Sequence, residues 1–250
     1  EGMVLVNDLY EGQRLVPDFD MDLNQYGTEK FVEENGFIRY QDGKAVAGVD
    51  VSEHQGTIDW QQVKDAGFEY AILRVAYRGM TEGGLNVDST FEQNYQGATA
   101  AGLKVGVYFF SQAITQEEAR EEAQYVLDTL DGRELDYPVV FDWEIPIPSE
   151  QLPAEDLRAY DISGEVVTAM AKAFCQEIRS NGYPPCVYTN KSMAYNTFNL
   201  EELKDFPLWY AEYQPAPSLY YHFQMWQYSA SGTVPGIAGS VDLNICFEPY

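Results

Sequence analysis

Residues 138–144 read Pro138-Val139-Val140-Phe141-Asp142-Trp143-Glu144, and this stretch decides the fold. Its apolar core has no polar alternation. A short run of that kind is a strand buried on both faces, as in a parallel sheet covered by helices. Seven further segments read as strands, several of them apolar in the same way: Ala45–Val51, Tyr70–Ala76, Lys104–Ser111, Pro185–Thr189, Pro207–Ala211, Phe223–Tyr228 and Ser240–Leu243. Helical segments separate the earlier ones. Asp59 is placed to cap a helix ending at Gly67. Ser89-Thr90-Phe91-Glu92 and Thr115-Gln116-Glu117-Glu118 match the capping box, in which a hydroxyl and a carboxylate satisfy orphan N–H groups. Gly102 and Gly182 stand where a helix end calls for positive φ. Residues 164–180 carry Val166, Val167, Met170, Phe174 and Ile178 at helical spacing. Past about residue 205 the helical periods stop, and Pro207, Pro215, Pro217 and Pro235 punctuate short strands.

Eight strands alternating with helices predict an α/β chain, a TIM-like (β/α)-barrel lacking helices in its C-terminal half. Residues 46–250 come close to the lower limit of ~200 residues for such barrels. An open doubly wound sheet is the other arrangement. Its nucleotide-binding versions are disfavoured, because no Gly-rich phosphate loop follows the first strand. Residues 1–45 read differently, as an N-terminal extension: Asp8, Glu11, Asp18, Asp20 and Asp22 crowd it and no long apolar period appears. Phe37–Tyr40 followed by Gln41-Asp42-Gly43-Lys44 predicts a small hairpin turning at Asp-Gly. The extension is either a tail packed on the barrel or a linker.

With 15 Lys+Arg against 40 Asp+Glu, the net charge is −25. Nucleic acid and anionic membranes are therefore not expected partners, since both require basic patches. Apolar residues at 45% suffice for a core, and no apolar run of ~18 residues predicts a membrane-spanning helix. Cys175, Cys186 and Cys246 are too few to staple a mini-fold. They read as buried thiols, with a single bridge as the other reading. The chain has no C-x-x-C and only two histidines, His54 and His222, so no histidine- or cysteine-rich metal site is expected. It opens Glu1-Gly2-Met3 without a leader, as after leader removal or in a fragment.

Residues i and i+2 of a strand project to one face, so Asp142 and Glu144 stand side by side. They lie at a strand's C-terminal end, where barrel active sites form. Neighbouring carboxylates repel, so one holds its proton beside an ionised partner, the pairing that glycosidic cleavage uses. Asp50 ends the first strand and Asp242 the eighth. In a closed barrel those strands are neighbours and strand four faces them across the mouth. Singly each Asp reads as a turn or helix cap; jointly, four carboxylates converge on one opening. Tyr108, Phe110, Trp143, Tyr188, Trp209, Tyr210, Trp226, Gln227 and Tyr228 crowd the same strand ends. Aromatic rings pack on sugar C–H faces and amides bond hydroxyls, although about half of these side chains read as core. Arg74, inside the apolar run Ala71–Val75, needs a partner: a barrel carboxylate or a separate structural ion pair.

Several stretches together resemble family 25 of the glycoside hydrolases, the Chalaropsis-type lysozymes. The most specific are the run Gly48-Val49-Asp50-Val51-Ser52-Glu53-His54-Gln55-Gly56-Thr57-Ile58-Asp59-Trp60 and Val140-Phe141-Asp142-Trp143-Glu144. With them go Ala71–Gly79, Gly106–Phe110, Val187–Asn190, Leu208–Tyr213, Met225–Tyr228 and Val241–Asn244, in the family's order from about residue 47 to 244. The extension lies outside the resemblance.

The resemblance implies a (β/α)5(β)3 barrel that hydrolyses the β-1,4 bond between N-acetylmuramic acid and N-acetylglucosamine in peptidoglycan, without a cofactor. It implies Glu144 as general acid and Asp142 as the carboxylate that steers the substrate's own acetamido nucleophile, with retention. Asp50 and Asp242 are the remaining rim acids. Tyr108, Tyr210, Gln227, Trp143 and Tyr188 are the implied substrate contacts. It further implies a secreted or wall-associated monomer whose partner is the glycan strand. Two features depart from the family pattern: Phe109 follows Tyr108 where many members have His, and Glu212 follows Ala211 where His is frequent. A catalytically silent glycan-binding barrel and a chitin-cleaving barrel are the competing readings. The full set of acids opposes the first, and the short Asp-x-Glu opposes the second.

Overall fold

The computed structural model describes residues 2–250; Glu1, the first residue of the extension, lies outside them. Two hairpins come first, β1 (Met3–Asp8) with β2 (Gly12–Pro17) and β3 (Phe31–Glu34) with β4 (Phe37–Tyr40). The barrel then runs β5 (Val46–Val51), α1 (Trp60–Asp65), β6 (Tyr70–Arg78), β7 (Leu85–Val87), α2 (Phe91–Ala100), β8 (Lys104–Ser111), α3 (Gln116–Leu130) and β9 (Val139–Trp143). It continues with α4 (Gly164–Ser180), β10 (Pro185–Asn190), α5 (Lys191–Asn196), β11 (Leu208–Ala211), β12 (Met225–Gly232) and β13 (Val241–Cys246). Eight strands close in the order β5-β6-β8-β9-β10-β11-β12-β13, with β13 back against β5; short β7 hangs on β6. All eight strands lie where the apolar runs place them. Five of them are followed by helices and the last three are not, which fits the expected barrel class.

One strand differs in direction. From β5 to β12 the barrel neighbours are parallel, but β13 is antiparallel to both β12 and β5. Asp242 therefore begins its strand rather than ending it. It still reaches the same rim, paired in register with Asp50, because the strand starts there. The turn of the second hairpin also differs. It lies at Asn35-Gly36, with φ of 56° and 83°, not at Asp42-Gly43. Asn-Gly is the stronger signal for two successive positive φ angles, so Phe37–Tyr40 is the returning strand rather than the first.

Side-chain parity sorts the core. Tyr70, Ile72, Val140, Cys186, Trp209, Met225 and Cys246 fill the barrel interior with Tyr137, while the alternate residues pack outward under the helices. Gly48 makes room at the floor: a Cβ there would sit 2.3 Å from the Tyr70 ring. All three cysteines are free and buried. Asp59 and Thr115 cap α1 and α3, accepting the N–H of Gln62 and Glu118, but the Thr115–Glu118 box is not reciprocal: Glu118 Oε2 accepts the N–H of Ile114 at 2.9 Å instead. The Ser89–Glu92 box does not form. Thr90 turns its hydroxyl to Asp88 Oδ1 at 2.7 Å, so the cap position of α2 has no side-chain acceptor. The later part of the extension packs on the lower barrel, with Tyr26 stacked on Phe247 at 3.9 Å and Leu23 bridged to Tyr221, while the β1–β2 hairpin reaches the rim, where Asp8 meets Lys191 just past β10.

Candidate active site

A cavity of about 410 Å³ opens at the rim. Asp50, Asp142, Glu144 and Asp242 all line it, with Tyr108, Tyr188, Trp209, Tyr213, Gln227 and Arg74. Asp142 is the last-but-one residue of β9 and is buried; Glu144 follows the strand on the same face and is partly exposed. The Gln112 amide donates to the Glu144 carbonyl at 2.8 Å and fixes the backbone that carries the acid. Asp142 Oδ1 is buried and meets no hydrogen-bond partner among the described residues. Burial, then the adjacent Glu144 carboxylate, holds the Asp142 pKa well above the usual carboxylate range.

Across the mouth, Asp50 Oδ2 accepts two amide N–H bonds, from Gln227 and Asn244, each at 2.8 Å. Gln227 Nε2 also lies 3.4 Å from Asp242 Oδ2. Burial first, then the Asp242 charge, pushes the Asp50 pKa up; burial raises Asp242 too. The two titrate as a unit that keeps a proton where ordinary aspartates are bare. Gln227 is itself oriented: its Oε1 accepts the hydroxyls of Tyr188 and Tyr213, each at 2.8 Å. Asn244 is oriented by Trp209 Nε1, which donates to its Oδ1 at 2.8 Å. Arg74 borders the cavity but spends its charge on Asp88 and Glu53, at 2.8 and 3.1 Å, so it is the separate structural ion pair.

Two expected substrate contacts are not in the cavity. Trp143 faces outward and donates its Nε1 to the Ala113 carbonyl at 2.9 Å. The parity that unites Asp142 with Glu144 necessarily sends Trp143 the other way. Tyr210 likewise packs outward on Phe223, centroids 5.1 Å apart, and its hydroxyl goes to Glu212 at 2.9 Å. Its neighbour Trp209 takes the inward place. Glu212 does not line the cavity either; Ser218 and Lys191 engage its carboxylate. Asn244 and Tyr213 were not anticipated as site residues. Asn244 was legible by the i+2 rule from Asp242; Tyr213 lies beyond a strand end, where parity gives no guide. Among the described residues no group of three or more His, Cys, Asp or Glu is arranged to hold a metal ion.

A family model described as "Glycosyl hydrolases family 25" matches residues 49–237. The chain belongs to this family. The family 25 chain is 32% identical over 198 residues to the "Autolytic lysozyme" of Clostridium acetobutylicum, covering 79% of this chain and 54% of that protein. It therefore spans only about half of that relative's length. It is 29% identical to "Lysozyme M1" of Streptomyces globisporus over 81% of this chain and 68% of that protein. In fold it is similar to the modular autolysin LytC of Streptococcus pneumoniae, with TM-score 0.69 at 21% identity over 99% of this chain and 57% of that one. A bacterial lysozyme from Streptomyces coelicolor gives TM-score 0.63 at 24% identity over 83% of this chain and 94% of that one.

Proposed function

We propose that this family 25 barrel is a muramidase. It hydrolyses the β-1,4 bond between N-acetylmuramic acid and N-acetylglucosamine in peptidoglycan, with retention at the anomeric carbon. The observation that carries the reading is the buried, unpartnered Asp142 Oδ1 beside partly exposed Glu144 in one cleft. An acceptor left open in a buried place is suited to an N–H of the ligand. In this reading the proton shared by Asp142 and Glu144 moves to Glu144 when the sugar's N–H bonds to Asp142, and Glu144 gives it to the glycosidic oxygen as the C1–O bond breaks. The acetamido carbonyl oxygen of the same sugar bonds to C1, while its N–H is held by Asp142. Water then adds to C1 with Glu144 as base, the ring opens, and Glu144 is reprotonated. The Asp50–Asp242 pair is proposed to bind the sugar and balance charge, with Tyr108, Tyr188, Trp209, Tyr213 and Gln227 as the sugar contacts.

Residues 46–250 are proposed as the catalytic unit and residues 1–45 as an appended extension. The enzyme is proposed to act outside the cell or in the wall, as a monomer. Mass spectrometry of digested peptidoglycan tests the reading. Products with muramic acid at the reducing end are expected; reducing-end glucosamine, cleavage of chitin oligomers alone, or binding without cleavage overturns it.

A further inference from the structure

The hydrogen bonds of the N-terminal extension lead into the active-site cleft. Asp8 ends β1 with its side chain only 1% exposed. Its Oδ1 accepts the N–H groups of Tyr10 and Glu11 at 2.9 and 3.0 Å, which shapes the hairpin turn. Its Oδ2 lies 2.8 Å from Lys191 Nζ, and the same ammonium is 3.1 Å from Glu212 Oε1. Glu212 opens the irregular connection after β11. Its carboxylate also takes the N–H and the hydroxyl of Ser218, each at 2.6 Å. Tyr10 grips the same connection farther along: its hydroxyl donates to the Ala216 carbonyl at 2.8 Å and accepts the Ala216 N–H at 3.0 Å. Tyr213 lies between these two anchors. Its ring borders the cleft and its hydroxyl reaches Gln227, which in turn holds Asp50.

We propose that the β1–β2 hairpin is a positioning element of the active site. Asp8 and Tyr10 hold residues 212–218, and through them set Tyr213 at the mouth of the cleft. Tyr213 is 55% exposed, so packing alone does not fix it. Its place depends on its own backbone, which Tyr10 bonds directly at Ala216 and Asp8 reaches at Glu212 through Lys191, beside the bonds that tie the Glu212 main chain to Gln227 and Trp226. The cluster Asp8–Lys191–Glu212 is an anion–cation–anion arrangement with little water around it. Such clusters add little net stability compared with apolar packing, but they specify geometry. The region matched to family 25 begins at residue 49, so the brace comes from outside it.

The kinetic part of the test rests on the muramidase reading; the structural part does not. Tyr10→Phe removes one hydroxyl and keeps the ring. Hydrogen exchange at residues 212–218 is expected to speed up in this variant while the barrel strands keep their protection. Unchanged exchange overturns the brace, whatever the activity. With soluble glycan strands, KM is expected to rise ~5-fold, which is about 1 kcal/mol, while kcat stays within ~2-fold. Tyr213→Ala is expected to raise KM as well, and adding Tyr10→Phe to it to change nothing more, because the first residue acts through the second. Additive effects, or an unchanged KM in Tyr10→Phe, overturn the proposal. A wild-type protein that releases no reducing-end muramic acid overturns the function reading instead, and leaves the exchange result to decide the brace.

Discussion

Asp142→Asn is expected to separate stability from activity. The wild-type carboxylate is buried with one oxygen unpartnered and a second carboxylate beside it. Leaving a buried polar group unsatisfied costs about 1–3 kcal/mol, more when it is charged. The amide is close to the same size, carries no charge, and can donate to Glu144. We expect it to recover about 1–2 kcal/mol at neutral pH, a melting-temperature rise of ~2–8 °C for a chain of this size. The sign of the pH dependence follows from the direction of the shift. The pKa of Asp142 is raised in the folded state, so its stabilising contribution is complete below the unfolded value of 3.8 and is lost as pH rises through the folded value. The melting curves of wild type and variant should therefore converge in acid and diverge toward neutrality. Asp50 and Asp242 have the same sign and are present in both proteins, so the difference reports Asp142 together with its repulsion of them. Activity should fall at least ~100-fold, about 2.7 kcal/mol of transition-state stabilisation. The assay is calorimetry from pH 4 to pH 8, at about one-unit steps, beside release of reducing-end muramic acid. A variant less stable than wild type at neutral pH, or a stability difference independent of pH, refutes the reasoning.

Glu144→Gln should fold and bind glycan but lose on the order of 10²–10⁴-fold in turnover, measured on soluble glycan strands; near wild-type turnover removes Glu144 as the acid. Asp242→Asn should lower activity ~10-fold with little change in melting temperature; a destabilised but fully active variant makes Asp242 a closure residue only. Arg78→Met should destabilise the fold by about 3–5 kcal/mol in denaturant titration, because Glu122, 2.8 Å away and fully buried, loses its direct partner. Glu122 has its pKa pushed up to about 7 by burial, so that loss should shrink below neutral pH. Lysis of intact anionic cells should improve as salt rises from very low to about 0.1 M, because the charge of −25 repels an anionic wall over a screening length of ~10 Å. A steady decline with salt, followed by turbidity, counts against it.

Strand identity was legible because a parallel barrel buries both faces of its strands, and Val139-Val140-Phe141 shows this directly. The direction of the last strand was not. Val241–Cys246 has the same apolar composition whichever way it runs, and only the connection after β12 sets its sense. Within the site, the i, i+2 rule joined Asp142 to Glu144, and applied consistently it also excludes Trp143 and finds Asn244. Between Trp209 and Tyr210 the residues themselves give no preference, since both are amphipathic aromatics. The barrel's parity decides, and that is a property of all eight strands together. Arg74 was legible as a charge needing a partner. Which partner depended on Asp88, brought beside it by β7, a strand too short to show a pattern.

The antiparallel closure has a consequence for when the enzyme comes into being. Asp50 is held by Asn244, a partner 194 residues later in the chain. The first rim acid is thus synthesised early and meets Gln227 only with β12 and Asn244 only with the last strand. Contacts of such sequence separation form late in folding, since the loop entropy must be overcome before they contribute. A nascent chain still tethered at residue 240 has Asp142 and Glu144 but only half of the opposite wall. The cleft becomes whole only after nearly the entire barrel has been translated, when β13 brings Asp242 and Asn244 beside Asp50.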